Sequence, residues 1–167
     1  MCPVEPSPRT SVRSARLRDV DAVVHVGEQS WAATYTSIAG AEYVRAGLAR
    51  WWTRDGTHAA IAAGEVLVAE QDGRVVAMLA RSVEGDVLDV WKLYALPGAQ
   101  RTGVGTVLLC TAVERHRRDV RIVRLAHKDG NVVARAFYDK HGFVETHRTP
   151  DDLGGPDNVW MERRLRL

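Results

Sequence analysis

The sequence predicts an α/β chain of the α+β type: a single mixed, mainly antiparallel sheet of six to seven strands, with about four helices on its two faces. Two observations carry that reading. Alternating stretches joined at Asp72-Gly73 and Gly85-Asp86 are hairpin signals, and hairpins make the strands they join antiparallel. Further on, the apolar strand Val87 to Leu96 leads through a polar turn into an apolar helix and out into the strand Val120 to Ala126. A helical crossover makes those two strands parallel. With 167 residues, 46% of them hydrophobic, the chain is long enough to bury one sizeable core.

Taken in order, MCPVEPSPRT holds three prolines and no apolar run, so residues 1–10 are expected to be a disordered lead-in and 11–167 a single domain. Ser11 to Arg16 reads as a first strand. Asp19 is a helix cap, followed by Val20, Val23, Val24 and Trp31 at helical spacing. SWAATYTSIAG reads as a polar and aromatic connection around Gly40. A second helix begins near Ala41, with Val44, Leu48, Trp51 and Trp52 on one face. Glu65 to Gln71 and Arg74 to Ser82 are the first hairpin, and Val87 to Leu96 the next strand. The crossover helix spans roughly Gly103 to Arg117. Asn131 to His141 reads as a helix, Gly142-Phe143 opens a strand, and Asn158 to Leu165 is the last. Asp151 to Asp157, rich in Gly and Pro, is the turn between those two strands.

Composition narrows the function classes. A net charge of +2 with 26% charged residues gives no strong grip on nucleic acid or an anionic membrane, and no stretch approaches the length of a membrane span. Short arginine runs at 115–118 and 163–166 read as solvated element ends. Cys2 and Cys110 are too few for a disulfide framework, which suits a reducing cytoplasm. The six histidines are scattered, and no His, Cys, Asp or Glu cluster has metal-ligand spacing, so no metal is expected.

The chemistry concentrates in LYALPGAQRTGVGTVLL, residues 93–109. A strand entering a tight loop and then a helix presents unpaired N–H groups and the positive end of the helix dipole, a natural seat for an anion. Gly103 and Gly105 remove Cβ atoms from that turn, and Arg101 could add a cation. A nucleoside-triphosphate loop would need Lys and then Ser or Thr after its last glycine, where this chain has Thr106 and Val107. A dinucleotide fingerprint would need a small residue where Leu108 stands, and an acidic one about twenty positions on.

The loop Gln100, Arg101, Thr102, Gly103, Val104, Gly105 resembles the Q/R-x-x-G-x-G/A motif of the GNAT superfamily of N-acetyltransferases. A second segment, GNVVARAFYDKHGF, resembles that family's N-x-x-A-x-x-F-Y-x-x-x-G-F pattern at Asn131, Ala134, Phe137, Tyr138, Gly142 and Phe143. The resemblance implies the GNAT fold, with two central parallel strands splayed around the cofactor arm, and acetyl-CoA as co-substrate. Its pyrophosphate would lie on the loop from Gln100 to Thr106, its arm along Leu93, Tyr94 and Ala95, with Asn131 and Phe137 on the other side. The implied activity is acetyl transfer to a primary amine of a small molecule or peptide by direct attack in a ternary complex. A non-catalytic acyl-CoA sensor and a protein lysine or N-terminal acetyltransferase stand as alternatives.

Tyr138 matches the family position that protonates the leaving thiolate. Asp89, on the strand before the loop, is the candidate base, sharing a side with Trp91 and Leu93 unless a bulge intervenes. Glu84, His25, Glu28 and bulk water are the other choices. Trp31 and Tyr35 either line the acceptor pocket or pack the front helices. A homodimer is a further family expectation, with Trp160 and Met161 of the last strand as a candidate interface.

Overall fold

In the computed structural model, which describes residues 10–166, seven strands form one open sheet in the order β1-β2-β3-β4-β5-β7-β6. The elements are β1 (Thr10–Ser14), α1 (Val20–Ala39), α2 (Ala41–Trp51), α3 (Arg54–Ala62), β2 (Val66–Gln71), β3 (Arg74–Glu84), β4 (Val87–Ala95), α4 (Val104–His116), β5 (Ile122–Lys128), α5 (Val132–Lys140), β6 (Val144–Thr149) and β7 (Asn158–Arg164). Every neighbouring pair is antiparallel except β4 and β5, the pair joined by the α4 crossover. Asp72 and Gly73 both have positive φ, 50° and 76°, the backbone that a two-residue hairpin between twisted strands demands. Apart from Thr10, which already belongs to β1, the expected lead-in lies outside the described residues.

The central strands β2 and β3 are buried on both faces, so adjacent residues feed different cores. Leu67, Leu79, Leu88 and Leu125 pack under Leu108, Leu109 and Ala112 of α4 and under Tyr138 of α5 and neighbouring Phe143. Val66, Val68, Met78 and Ala80 face the other way, against Val23, Val26, Trp31 and Tyr35 of α1 and Tyr43 and Val44 of α2.

Three local expectations change. SWAATYTSIAG is not a connection: α1 continues through it to Ala39, because Trp31 and Tyr35, one turn apart, are both buried, and the Thr36 hydroxyl donates to the Ala32 carbonyl at 2.7 Å. Gly40, at φ +88°, ends the helix. The described residues contain five α-helices, not about four. The extra one, α3, is capped by Thr53, whose hydroxyl accepts from the Gly56 N–H at 3.1 Å. It buries only Thr57 and Ile61, too few to print a periodic apolar face on the sequence. Finally, β7 lies inside the sheet, between β5 and β6, and Met161 is fully buried in the core. Met161 therefore has no surface to offer a second copy.

Candidate active site

The site is built where β4 and β5 part. Their pairing runs only from Val87–Ile122 to Val90–Leu125. The next β4 residue, Trp91, has no register partner on β3 either, since Ala80 faces Lys92 and Arg81 faces Val90. Trp91 is thus a β-bulge, which bends β4 away from β5 and reverses side-chain parity. Asp89, Lys92 and Tyr94 consequently face α1 and α2, whereas Leu93 and Ala95 face α4. Asp89 and Leu93 do not share a side, as they would on an unbroken strand, and Trp91 points out to solvent with its indole N–H donating to the Ser82 hydroxyl at 2.8 Å. Beyond Val90 the β5-facing edge of β4, at Leu93, Tyr94 and Ala95, is left unpaired by β5, the opening that an extended, amide-bearing chain can fill.

At the end of β4 the chain turns through Pro97–Ala99 into the glycine loop. Gln100 donates its side-chain amide to the Ala95 carbonyl at 3.3 Å, and the Thr102 hydroxyl donates to the Ala99 carbonyl at 2.6 Å. Both bonds fold the loop back on itself. Arg101, at φ +64°, and Gly103, at +83°, are left-handed, and Gly103 caps α4 without any side-chain hydrogen bond. The Val107 N–H is the first to find an intrahelical acceptor, on Gly103 at 3.1 Å, so those of Val104, Gly105 and Thr106 point out of the helix end. This bare, glycine-capped N-terminus fits a pyrophosphate, and exposed Arg101 stands beside it. Gly105 is less constrained, because a Cβ there would meet the Phe137 ring at 3.5 Å, an ordinary contact.

Asn131 caps α5 and reaches across to α1. Its Oδ1 accepts from the Ala134 N–H at 3.1 Å, and its Nδ2 donates to the Tyr35 hydroxyl at 3.5 Å. Tyr35 and Tyr94 hydroxyls are also 3.5 Å apart. Burial raises the pKa of both phenols above the usual value. Tyr138, 8% exposed on the next turn of α5 after Ala134, is likewise raised, first by burial and then by its neighbour Tyr35. It remains a protonated O–H at neutral pH, and among the described residues no hydrogen bond fixes it.

Opposite the loop lies a cavity of about 280 Å³ whose walls include Trp31, Tyr35, Trp51, Trp52, Tyr94 and Trp160. Trp31 holds the box together, with ring centroids 4.7 Å from Tyr35, 5.9 Å from Tyr43 and 5.4 Å from Trp51. Three cations enter it. Arg124 of β5 forks onto Asp89, its register partner on β4, at 2.6 and 2.9 Å. Lys128 pairs with Asp151 and donates to Asn158 Oδ1 at 2.6 Å. Burial pushes the Asp151 carboxyl up, but Lys128 and the Gly155 and Leu153 N–H groups outweigh that and hold it below the usual range. Lys92 lies 4.3 Å over the Trp52 ring and donates to the Trp51 carbonyl at the end of α2, and burial lowers its pKa to about 8.

The structure therefore brings Tyr138, Asn131, Tyr35 and Tyr94 together and seats Trp31 and Asp89 on the cavity wall. Arg124, Lys92, Lys128 and Trp51 entered no sequence-based site; the signal for the first three, the register of β5 on β4 and the bulge at Trp91, is not printed in the sequence. Cys110, on α4, carries no free thiol, unlike the reduced pair suggested by the sequence.

A family model described as an acetyltransferase (GNAT) domain matches residues 62–145. No curated protein sequence matches the chain. Among solved structures, the PaiA N-acetyltransferase from Thermoplasma acidophilum in complex with coenzyme A superposes with a TM-score of 0.83 at 20% identity, over 93% of this chain and 99% of that one. A GCN5-related N-acetyltransferase from Rhodopseudomonas palustris gives 0.81 at 21% identity, over 97% and 99%. The yncA protein of Salmonella typhimurium with acetyl-CoA gives 0.72 at 20% identity, over 95% of each chain.

Proposed function

Because the chain belongs to the GNAT acetyltransferase family, we propose that it transfers the acetyl group of acetyl-CoA directly to a primary amine of a small molecule or peptide. The observation that carries this reading is the parting of β4 from β5 between the bare N-terminus of α4 and the aromatic cavity. Donor and acceptor then enter from opposite faces of the sheet and meet in the gap.

In this reading the loop from Gln100 to Thr106 holds the pyrophosphate through main-chain N–H groups. Leu93, Tyr94 and Ala95 hold the arm by strand-like hydrogen bonds, and Asn131 and Phe137 bound it from the α5 side. Trp31 and Tyr35 present aromatic faces to the incoming amine and exclude water from it. Tyr138 gives its hydroxyl proton to the departing sulfur, a role that suits its raised pKa and a hydroxyl with no hydrogen-bond partner among the described residues. Asp89, the base candidate from the sequence, is fixed at the mouth by Arg124 and orients the amine or its water.

The test is thiol release from acetyl-CoA against polyamines, aminoglycosides, amino acids and lysine peptides, with Tyr138→Phe alongside. Wild-type release that depends on one amine class, with kcat reduced about a hundredfold or more in the variant and acetyl-CoA affinity unchanged by calorimetry, is the expected result. Affinity without release from any amine would favour a sensor, and release with lysine peptides alone a protein-modifying enzyme.

A further inference from the structure

We infer that His127 is the proton acceptor for the attacking amine and that it returns the proton to Tyr138, closing a relay across the gap. The inference rests on the acetyltransfer reading above. His127 lies on β5 two residues beyond Leu125, the last residue paired with β4, and so stands on the lip of the gap, where it also borders the aromatic cavity. Its ring is 7% exposed and lies 6.3 Å from the Tyr138 ring, with the two planes inclined by 27°.

The hydrogen bonding of His127 assigns its tautomer. Nδ1 is 2.9 Å from the Lys128 carbonyl oxygen, which can only accept, so Nδ1 carries the hydrogen. Nε2 then holds a bare lone pair, and it is buried with no partner among the described residues. Buried polar atoms are almost always paired, and an exception calls for a reason. The other buried orphans are the two indole N–H groups of Trp31 and Trp52, the Thr57 hydroxyl and Arg163 Nε. Of the five, Nε2 of His127 alone is a basic nitrogen at rest. A lone pair cannot stabilise an oxyanion by donation, but it can take a proton from an amine, directly or through one water.

Asp89 is differently placed. Both its oxygens already accept from the Arg124 guanidinium, and a proton taken up there would break that pair. The Asp89–Arg124 fork rivets β4 to β5 one rung before they separate, which is a positioning task.

The steps balance. The amine lone pair forms the N–C bond to the acetyl carbon, and the C–S bond breaks with its electron pair going to sulfur. The amine proton passes to His127 Nε2, while the Tyr138 hydroxyl proton passes to sulfur. Imidazolium and phenolate are left as neighbours, and a water carries the proton from the first to the second. Both groups are then as they began, with no outside acid or base consumed.

The titratable and charged groups on the cavity wall with His127 are Arg124 and Lys128 of β5, Tyr35 of α1, Asp89, Lys92 and Tyr94 of β4, and Asp151 and Asp152 of the loop before β7, while Tyr138 of α5 stacks beside its ring. The test is the pH profile of kcat/KM for thiol release, measured on the full chain with His127→Gln and His127→Ala. In wild type the acid limb should follow one proton. His127→Gln should lose that limb and about a hundredfold in kcat/KM, with acetyl-CoA affinity by calorimetry unchanged. Added imidazole should restore His127→Ala in proportion to its unprotonated fraction, a rescue that a merely structural histidine would not show. An active wild type whose His127→Gln variant keeps its acid limb and falls less than threefold overturns the relay alone, as does an unrescued His127→Ala. A wild type that releases no thiol with any amine overturns the acetyltransfer reading and the relay with it.

Discussion

On the α4 face of the sheet, the loop from Gln100 to Gly103 offers main-chain groups above a core made mostly of aliphatic side chains. On the α1 face, the cavity offers indoles, phenols and three lysine or arginine side chains above an aromatic core. The difference follows from what each face would have to hold. A pyrophosphate is met by N–H groups at a helix end, which every residue type supplies, so only the backbone conformation is constrained, and glycine writes that constraint into the sequence. An acceptor amine with its own carbon skeleton would be met by side chains brought in from α1, α2, β4, β5 and the loop before β7. Those residues are far apart in sequence.

The comparison breaks most visibly at Arg124. Replacing it in Arg124→Gln leaves the Asp89 carboxylate, 3% exposed in its side chain, without a counter-charge, whereas Arg124 itself keeps 32% of its side chain in solvent. Loss of one partner of a buried pair costs ~3 kcal/mol, because the remaining charge stays desolvated. Urea denaturation of Arg124→Gln should show that loss, and Asp89→Asn a smaller one, since the solvated guanidinium tolerates being left alone. If the two variants are equally stable, the fork contributes nothing to holding β4 and β5 together below the gap.

How much was legible in the sequence follows the same division. Asp72-Gly73, the glycine loop and the Gly142-Phe143 strand start are local patterns, each fixed by dihedral angles that few residues adopt, and the fold class followed from their order. Tyr138 and Asn131 were proposed from the sequence because both lie in the one short segment that resembles the family's second motif. The end of α1 was misread because Ser30, Thr34, Thr36 and Ser37 lower intrinsic helix preference, and only the burial of Trp31 and Tyr35 against the sheet overrides them. The cavity on the α1 face was illegible for a different reason. Pairing Asp89 with Arg124 requires the β4–β5 register, and placing Lys92 beside Tyr94 and away from Trp91 requires the bulge. His127 was one of six scattered histidines until β5 brought it against Tyr138.

A middle-sized effect sharpens the contrast between the faces. Gly47 of α2 lies under the Trp31 ring, and a Cβ there would fall 2.1 Å from Trp31 Cζ3. Gly47→Ala must therefore displace Trp31, the ring that touches Tyr35, Tyr43 and Trp51, at a cost of ~2 kcal/mol in overpacking strain. Because α2 contributes nothing to the loop face, acetyl-CoA affinity should stay as in wild type while KM for the acceptor rises severalfold. Steady-state kinetics with both substrates varied, set beside calorimetric acetyl-CoA binding, separates the two. A fall in acetyl-CoA affinity would show that the faces are mechanically coupled through the sheet.

The smallest effect concerns a buried charge on the aliphatic face. Arg81, 7% exposed on β3, has no carboxylate partner among the described residues; its Nε donates to His116 Nε2 at 3.1 Å and its Nη1 to the Glu65 carbonyl at 3.1 Å. His116 accepts that bond only while neutral, and burial together with the adjacent guanidinium lowers its pKa from the ordinary 6.5. A histidine depressed in the folded state is protonated first in the unfolded chain. Its contribution to stability is complete above about pH 6.5 and is lost as the pH falls from there toward its folded value. Melting temperatures between pH 7.5 and 5 should therefore drop in wild type. In His116→Gln, whose amide oxygen can accept from Arg81 at any pH, that part of the slope should vanish while stability at neutral pH changes little. An unchanged slope would mean that the acid sensitivity of the fold arises elsewhere and that Arg81 is held by the Glu65 carbonyl alone.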